Sequence, residues 1–230
     1  MIGDEPALGG PDPRVRKDPP VRSGAVSSHR LVAVGVEDSG ALPAAVAALL
    51  GGGSVVLPTD TVYGLAALPS QPGATEALCA LKGRDSEQAL AVLVADEEQA
   101  RALFEPPAAE VRRWMRELWP GPLTLVMARA PPAQALALGG DPTTIGIRCP
   151  NHDFVRHLAA QVGPVAVTSA NRHGVPTPET ASAAAASLTG PVDLVIDGGP
   201  AATVPSTVVD VTATRWQILR QGALPESALA

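Results

Sequence analysis

The chain has 230 residues and a formal net charge of −6, with 46% hydrophobic and 3% aromatic residues. This length can bury a sizeable core in one domain, and the core must consist mainly of Ala, Val and Leu. The acidic balance disfavours a general nucleic-acid coat, which would show a basic excess. No run of about 18 apolar residues is present, so we expect no membrane span. The charged, Pro-containing N-terminus is unlike a signal peptide, and we expect a cytoplasmic protein.

The N-terminal 28 residues contain many Pro, Gly and charged residues and show no periodicity. Such a composition cannot bury enough apolar surface to fold, so we interpret 1–28 as a disordered leader. A single folded domain is predicted over 29–224, with its first strand near 31–34. Residues 225–230 are predicted to form a short tail.

Predicted strands and helices largely alternate along this domain. A helix over 41–50 ends at three consecutive glycines, because Gly adopts the left-handed conformation that terminates helices. In chain order, the elements that follow are strand 54–57, helix 73–82, strand 90–94, a helical pair across 96–118, strands 123–128 and 143–148, helix 152–162, strand 165–168, helix 179–188, strand 193–196, and strands 207–211 and 215–219. We expect the last two strands to pair. The alternation predicts an α/β fold with a twisted mixed sheet and packed helices.

Familiar catalytic and cofactor signatures are missing from the sequence. There is no P-loop, no GxGxxG, no Gly-x-Ser-x-Gly and no HExxH motif. Cys79 and Cys149 show no ligand spacing, so we expect buried, reduced thiols. The four histidines form no cluster, and we predict that His152 and His157 lie on a solvated helix face. A nucleotide would therefore have to be bound in some other way.

The most informative stretch is PTDTVYGL at 58–65, which follows predicted strand 54–57. It combines hydroxyl groups, the Asp60 carboxylate and a glycine. Lys82 and Arg84 follow at the end of helix 73–82. This pattern suits a small polar substrate beside a phosphate. Alternatively, the oxygens satisfy backbone N–H groups in a turn, and the cations are favoured by the helix dipole.

Polar residues also follow strand 165–168, as TSAN at 168–171, and precede strand 207–211, as PST at 205–207. Ligands of open α/β sheets bind at strand ends, although an Asx or Ser turn would explain the first cluster equally. Arg148 and Arg220 each follow a predicted strand. Ammonium and guanidinium groups match phosphate oxygens, so four cations at element ends could converge on one anion. These are Lys82, Arg84, Arg148 and Arg220.

Seven motifs occur in the order PTDTVYGL, KGR, PGPLT, RCP, SAN, PSTVVD and RQG. Together they resemble the YrdC-like family, whose typical members are L-threonylcarbamoyladenylate synthases, over about 31–222. The resemblance implies a twisted mixed sheet with an open, positively lined concave cleft. It also implies condensation of L-threonine, bicarbonate and ATP to threonylcarbamoyl-AMP with release of pyrophosphate. A separate protein complex would then transfer the threonylcarbamoyl group to the adenosine beside the anticodon in tRNA, and weak direct contact with tRNA stays open.

The resemblance also implies roles for individual residues. Threonine contacts are expected at Thr61, Thr124 and Ser206, with Val167 presenting its backbone. ATP contacts are expected at Lys82, Arg84, Gln88, Ser169, Asn171, Thr177 and Arg220. Lys82 and Arg84 are also the expected catalytic residues. No protein ligand for a metal is expected, and Mg²⁺ would arrive with ATP.

Three positions depart from the family pattern. Asp85 and Gln88 stand where relatives often have Pro and Asn. Asp85 adds negative charge near the phosphate site, and the Gln88 amide extends one methylene further. Leu93 stands where some relatives place His, so that threonine contact is expected to be absent. The chain ends soon after RQG, which is typical of the single-domain form.

No residue in these motifs is typical of a covalent nucleophile, so we predict catalysis by positioning and charge stabilisation. Two other classes remain open. One is a carbamoyl-transfer enzyme with another acceptor. The other is a double-stranded RNA-binding module, whose binding would depend strongly on salt.

Overall fold

The computed structural model describes residues 33–83 and 88–230. The predicted leader at 1–28, together with Arg84 and Asp85, therefore lies outside the described residues. Ten strands are formed in the described ranges: β1 Ala33–Gly35, β2 Val55–Leu57, β3 Gly64–Ala67, β4 Ala91–Leu93, β5 Leu123–Ala128, β6 Thr144–Arg148, β7 Val165–Ser169, β8 Leu194–Asp197, β9 Thr207–Asp210 and β10 Gln217–Arg220. The helices are α1 Ala41–Leu50, α2 Ala74–Lys82, α3 Glu97–Arg101, α4 Ala109–Leu118, α5 Asp153–Val162 and α6 Ala181–Ala186, with 3-10 helices at Pro131–Ala135 and Glu226–Leu229.

The strands form one mixed sheet in the order β1-β8-β2-β3-β7-β4-β6-β5-β9-β10. The pairs β1/β8, β2/β8, β4/β6 and β5/β9 are parallel, and the others are antiparallel. The predicted pairing of the last two strands is confirmed. The predicted single α/β domain with a mixed sheet and packed helices is confirmed as well.

Strand β3 was not predicted from the sequence. It lies antiparallel between β2 and β7, and all four of its residues are buried. A Cβ atom on Gly64 would lie only 2.8 Å from Cγ2 of Val167, so the close strand packing here requires glycine. After the 58–63 loop, the chain therefore re-enters the sheet between β2 and β7.

The two faces of the sheet are covered differently. On one face, helices α2, α4 and α6 contribute to a large apolar cluster that includes Leu78, Trp114 and Ala184. On the other face, α1 packs over β8 and β2, and the neighbouring α5 packs over β4. Leu93 and Val167 lie at the border of this second cluster and also line an open cleft. The sheet beyond α1 and α5 is thus the floor of that cleft.

The C-terminal residues pack on the domain. Leu229, in the last 3-10 helix, is only 1% exposed, and its carbonyl accepts a hydrogen bond of 3.1 Å from Nε1 of Trp114. The segment predicted as a short tail therefore contributes to the core beside α4. Cys79 and Cys149 are both buried, as predicted. Among the described residues, no helix has the length and apolar character needed to cross a membrane.

Candidate active site

A cleft of about 400 Å³ lies over strands β7, β4, β6, β5 and β9. Most of the predicted site residues line it: Thr61, Lys82, Gln88, Thr124, Val167, Ser169, Asn171, Ser206 and Arg220. Thr177 is not among its lining residues, and its role stays a prediction. Arg84 lies outside the described residues. Segments far apart in the chain are thus brought to one site.

Register explains why these residues meet. Val167, Ala91, Gly146 and Val126 pair across four adjacent strands, and all of them line the cleft. Side chains alternate between the faces of a strand, so residues two positions away also face the cleft. Thr124 on β5, Arg148 on β6 and Ser169 on β7 are such residues. The floor of the cleft is therefore one face of the sheet, and the register of β5, β6, β4 and β7 places these side chains on it.

Thr124 and Ser206 form a hydroxyl pair at one end of the cleft. Their oxygens are 2.8 Å apart, because β5 and β9 are parallel neighbours and Ser206 directly precedes β9. Arg220 donates to the Ser206 hydroxyl at 3.1 Å and to the Ser206 carbonyl at 2.9 Å. Since the two hydroxyls share one hydrogen bond, one O–H proton is available to a ligand.

Thr61 is positioned by a turn and by a buried ion pair. Oγ1 of Thr59 accepts hydrogen bonds from the backbone N–H groups of Thr61 and Val62, as the turn interpretation predicts for Thr59. Arg148 donates to the Thr61 hydroxyl at 2.8 Å and to the Asp60 carboxylate at 2.5 Å. The Arg148 and Asp60 side chains are only 7% and 14% exposed. The Thr61 oxygen is therefore held as an acceptor within the cleft.

Lys82 ends α2 and is 4% exposed. Its ammonium contacts the carbonyl and hydroxyl oxygens of Ser169 at 2.6 and 3.1 Å. It also contacts the carbonyl and Oδ1 of Asn171 at 3.0 and 2.6 Å. Asn171 in turn donates its amide to the Val175 carbonyl. These contacts orient the ammonium at the wall of the cleft.

The cleft is electrostatically positive. Lys82, Arg129, Arg148 and Arg220 line it, and no carboxylate does so in the part of the chain described. The pKa of Arg220 is lowered by burial and by the neighbouring Arg148 charge. Two guanidinium groups close enough to affect each other favour an anion between them. The predicted convergence of cations is thus seen for Lys82, Arg148 and Arg220.

His152 corrects one prediction. It was expected on a solvated face, but it is half-buried, and its Nδ1 is buried without a hydrogen-bond partner among the described residues. The ring lies against Gly198, because His152 precedes α5 and turns toward the β8 end. Burial lowers the pKa of this imidazole. His157 is exposed, as predicted, and neither histidine lines the cleft.

Cys149 has no nucleophilic character at neutral pH. Burial raises the pKa of its thiol to about 11, and the thiol donates to the Ala95 carbonyl at 3.5 Å. The reactive form of cysteine is the thiolate. Cys149 is therefore not a candidate nucleophile.

Sequence reasoning missed two features of the site. Arg148 was grouped with the cations but was not assigned a place beside Thr61. Its signal is the position at the end of β6, directly before Cys149 and Pro150. Arg129, which also lines the cleft, was not singled out at all, because one arginine after a strand is ordinarily a surface residue.

Fold and site together define a single α/β domain with a cation-lined cleft for a small polar anionic ligand. Residues 47–222 match the Sua5/YciO/YrdC family, whose description is Telomere recombination. The chain belongs to this family.

Individual relatives agree over most of the chain. A Mycobacterium leprae relative is 37% identical over 190 residues, covering 82% of this chain and 86% of its own length. The threonylcarbamoyl-AMP synthase of Homo sapiens is 38% identical over 212 residues, covering 83% of this chain and 70% of its own length. The structure of Pyrococcus abyssi Sua5 complexed with L-threonine matches with a TM-score of 0.79 and 30% identity. That match covers 87% of this chain and 59% of the Pyrococcus chain.

Proposed function

We propose that this chain condenses L-threonine, bicarbonate and ATP to threonylcarbamoyl-AMP and releases pyrophosphate. The observation that carries the proposal is one cleft in which three hydroxyls, from Thr61, Thr124 and Ser206, lie with the cations Lys82, Arg148 and Arg220. The human relative carries this activity in its name, and the Pyrococcus relative was crystallised with L-threonine. Both support the assignment.

Threonine binds at the hydroxyl end of the cleft. Its carboxylate is an anion that the Arg148 guanidinium can neutralise, and its hydroxyl and amine find partners at Thr61, Thr124 and Ser206. A site that hydrogen-bonds a substrate hydroxyl rejects analogues that lack it, because its own buried polar groups are then left unpaired. This end therefore selects threonine.

ATP binds with its phosphates toward Lys82, Ser169 and Asn171. The ammonium is already oriented by its contacts, so little reorganisation opposes its stabilisation of transition-state charge. Arg84, two residues further along the chain, belongs to the same phosphate set. Magnesium enters as part of the substrate MgATP, because Mg²⁺ is commonly bound through substrate phosphates.

The chemistry proceeds in two steps. The threonine amine attacks the carbon of bicarbonate, and loss of water leaves a carbamate. A carbamate oxygen then attacks the α-phosphorus of ATP, and the bond from that phosphorus to the bridging oxygen of the β-phosphate breaks. Lys82, Arg84 and Arg220 offset the charge that develops on the leaving pyrophosphate, and the rest of the acceleration comes from positioning.

The product serves tRNA modification in the cytoplasm. A mixed anhydride of a carbamate and AMP is an activated acyl donor, so a separate complex can transfer its threonylcarbamoyl group to the adenosine beside the anticodon. Any contact of this chain with tRNA is weak and uses the positive rim of the cleft, because the chain as a whole is acidic.

Pyrophosphate release tests this function. The wild-type chain should release pyrophosphate only when threonine, bicarbonate and ATP are all present. Lys82→Ala and Arg84→Ala should each lower the rate by about 100-fold or more. Arg101→Ala is the matched control, since that side chain is 69% exposed on α3. Near-wild-type rates in both cleft variants would refute the roles given to them.

A further inference from the structure

Arg129 is a buried cation for which the reaction above has no use. It directly follows β5, is only 8% exposed and lines the cleft. Its backbone N–H donates to the Thr143 carbonyl at 2.8 Å, which fixes the residue at the end of β5. A buried guanidinium is costly unless its donors are used, so its presence in the cleft needs an explanation.

The Arg129 fork is only partly occupied. Nε donates to the Thr144 carbonyl at 3.0 Å, and Nη1 donates to the Leu136 carbonyl at 3.4 Å. Nη2 has no hydrogen-bond partner and Arg129 forms no ion pair within the described ranges. Burial lowers the pKa of Arg129, and the charge of Asp141 only partly opposes this. The hydrogen bonds of Nε and Nη1 therefore orient the guanidinium, and Nη2 can donate to a ligand in the cleft.

Arg129 lies at the end of the cleft opposite the hydroxyl pair. Arg129 follows Thr124 by five positions along the chain, which corresponds to about 16 Å of extended chain. Between the two ends, the floor consists of Ala91, Gly146 and Val126. A Cβ atom on Gly146 would be 3.8 Å from its nearest neighbours, so the glycine leaves an open, flat surface there. The middle of the cleft is thus apolar and shallow, with a cation at its far edge.

We infer that Arg129 is a specificity-determining residue that donates from Nη2 to a ring-nitrogen acceptor of the adenine base of ATP. The inference rests on the proposed function, which places threonine at the hydroxyl end and the phosphates near Lys82. The nucleoside then extends over the floor toward Arg129. A base has an apolar face for Ala91 and Val126 and acceptors at its edge, whereas a phosphate on this floor would lose hydration without enough donors in return.

Binding of nucleotide fragments tests this assignment. We would measure the Kd of ATP, inorganic tripolyphosphate and L-threonine by calorimetry for the wild-type chain, Arg129→Met and the exposed control Arg101→Met. Arg129→Met should weaken ATP binding by about 10- to 100-fold, the range of a hydrogen bond from a charged donor. Tripolyphosphate and threonine affinities should change by less than about twofold, because neither ligand reaches this edge.

The outcomes separate this inference from the proposed function. Equal weakening of ATP and tripolyphosphate would make Arg129 a phosphate ligand and overturn the inference, as would unchanged ATP affinity in a folded variant. If Arg129→Met does not fold, Arg129→Lys keeps the charge and the aliphatic stem but loses the fork, and it should show the same selective loss. A wild-type chain that shows this selectivity but forms no threonylcarbamoyl-AMP would refute only the proposed function. A wild-type chain that binds no ATP would overturn both.

Discussion

The cations at the hydroxyl end of the cleft and at its Lys82 wall are held differently. At the hydroxyl end, Arg148 is paired with Asp60 and uses a second nitrogen to hold Thr61. At the opposite wall, Lys82 is held by neutral oxygens of Ser169 and Asn171. The Asp60 carboxylate offsets much of the Arg148 charge, so this guanidinium mainly orients Thr61, whereas the Lys82 ammonium lies at the wall proposed for the phosphates. Changes at the hydroxyl end should therefore affect threonine binding, and changes at Lys82 should affect the rate.

The largest effect is expected for Lys82→Met. The turnover number for pyrophosphate release should fall by about 100-fold or more, because a transition-state charge contact is lost. Threonine affinity should stay within about threefold, since the hydroxyl end is intact. Steady-state kinetics together with threonine calorimetry would measure both. If threonine affinity fell as much as the turnover number, Lys82 would not act separately from the hydroxyl end, which would contradict this account.

The second-largest effect is expected for Asp60→Asn, at the hydroxyl end of the cleft. The buried Arg148 charge would lose its counterion, so unfolding free energy should fall by about 1–3 kcal/mol and the KM for threonine should rise about tenfold. Urea titration and threonine kinetics provide the measurements.

The control is Asp153→Asn, in the exposed Asp153–Arg156 pair, where the aspartate side chain is 83% exposed. Exposed pairs contribute about 0–1 kcal/mol, so this variant should be nearly silent. Equal destabilisation of the two variants would show that burial of the Asp60 pair has no special role.

Thr124→Val and Ser206→Ala test the hydroxyl pair at the same end of the cleft. Each removes one hydroxyl of the pair and should weaken threonine binding by about fivefold, the worth of a typical hydrogen bond. Because the hydroxyls share a bond, the double variant should lose less than the product of the single losses. Calorimetry on all four proteins completes the cycle. Strictly multiplicative losses would mean that the two hydroxyls act independently.

The smallest effect is a dependence of stability on alkaline pH from Cys149. Its thiol pKa is raised from 9.0 to about 11, so the folded state holds this proton more tightly than the unfolded state. The stabilisation is complete below pH 9 and is lost as pH rises toward 11. Denaturant titrations should show stability falling less steeply in this window for Cys149→Ala than for the wild type. Identical slopes would contradict a buried, protonated thiol.

Much of the fold could be predicted because periodicity and glycine signals are local. Strand β3 could not, since Gly64–Ala67 is short, made of small residues and stabilised by pairing with β2 and β7. Burial of His152 against Gly198 likewise depends on a contact between distant segments. Propensity contains no information on such neighbours.

The candidate site shows the same division. Hydroxyls and cations could be recognised as residue types at strand ends, and the family resemblance connects Thr61, Lys82 and Ser206 through their motifs alone. The Asp60–Arg148 pair and the orientation of Arg129 could not be predicted, because both depend on which strands are neighbours in the sheet. Strand order in a mixed sheet is not encoded in local pattern.

The most direct test of the central claim is detection of the product by mass. The wild-type chain would be incubated with ATP, L-threonine and ¹³C-labelled bicarbonate, and the mixture analysed by liquid chromatography and mass spectrometry. We predict an AMP adduct that contains threonine and one labelled carbon and that disappears when any of the three substrates is omitted. ATP turnover without this adduct, or an adduct that forms without bicarbonate, would contradict the account.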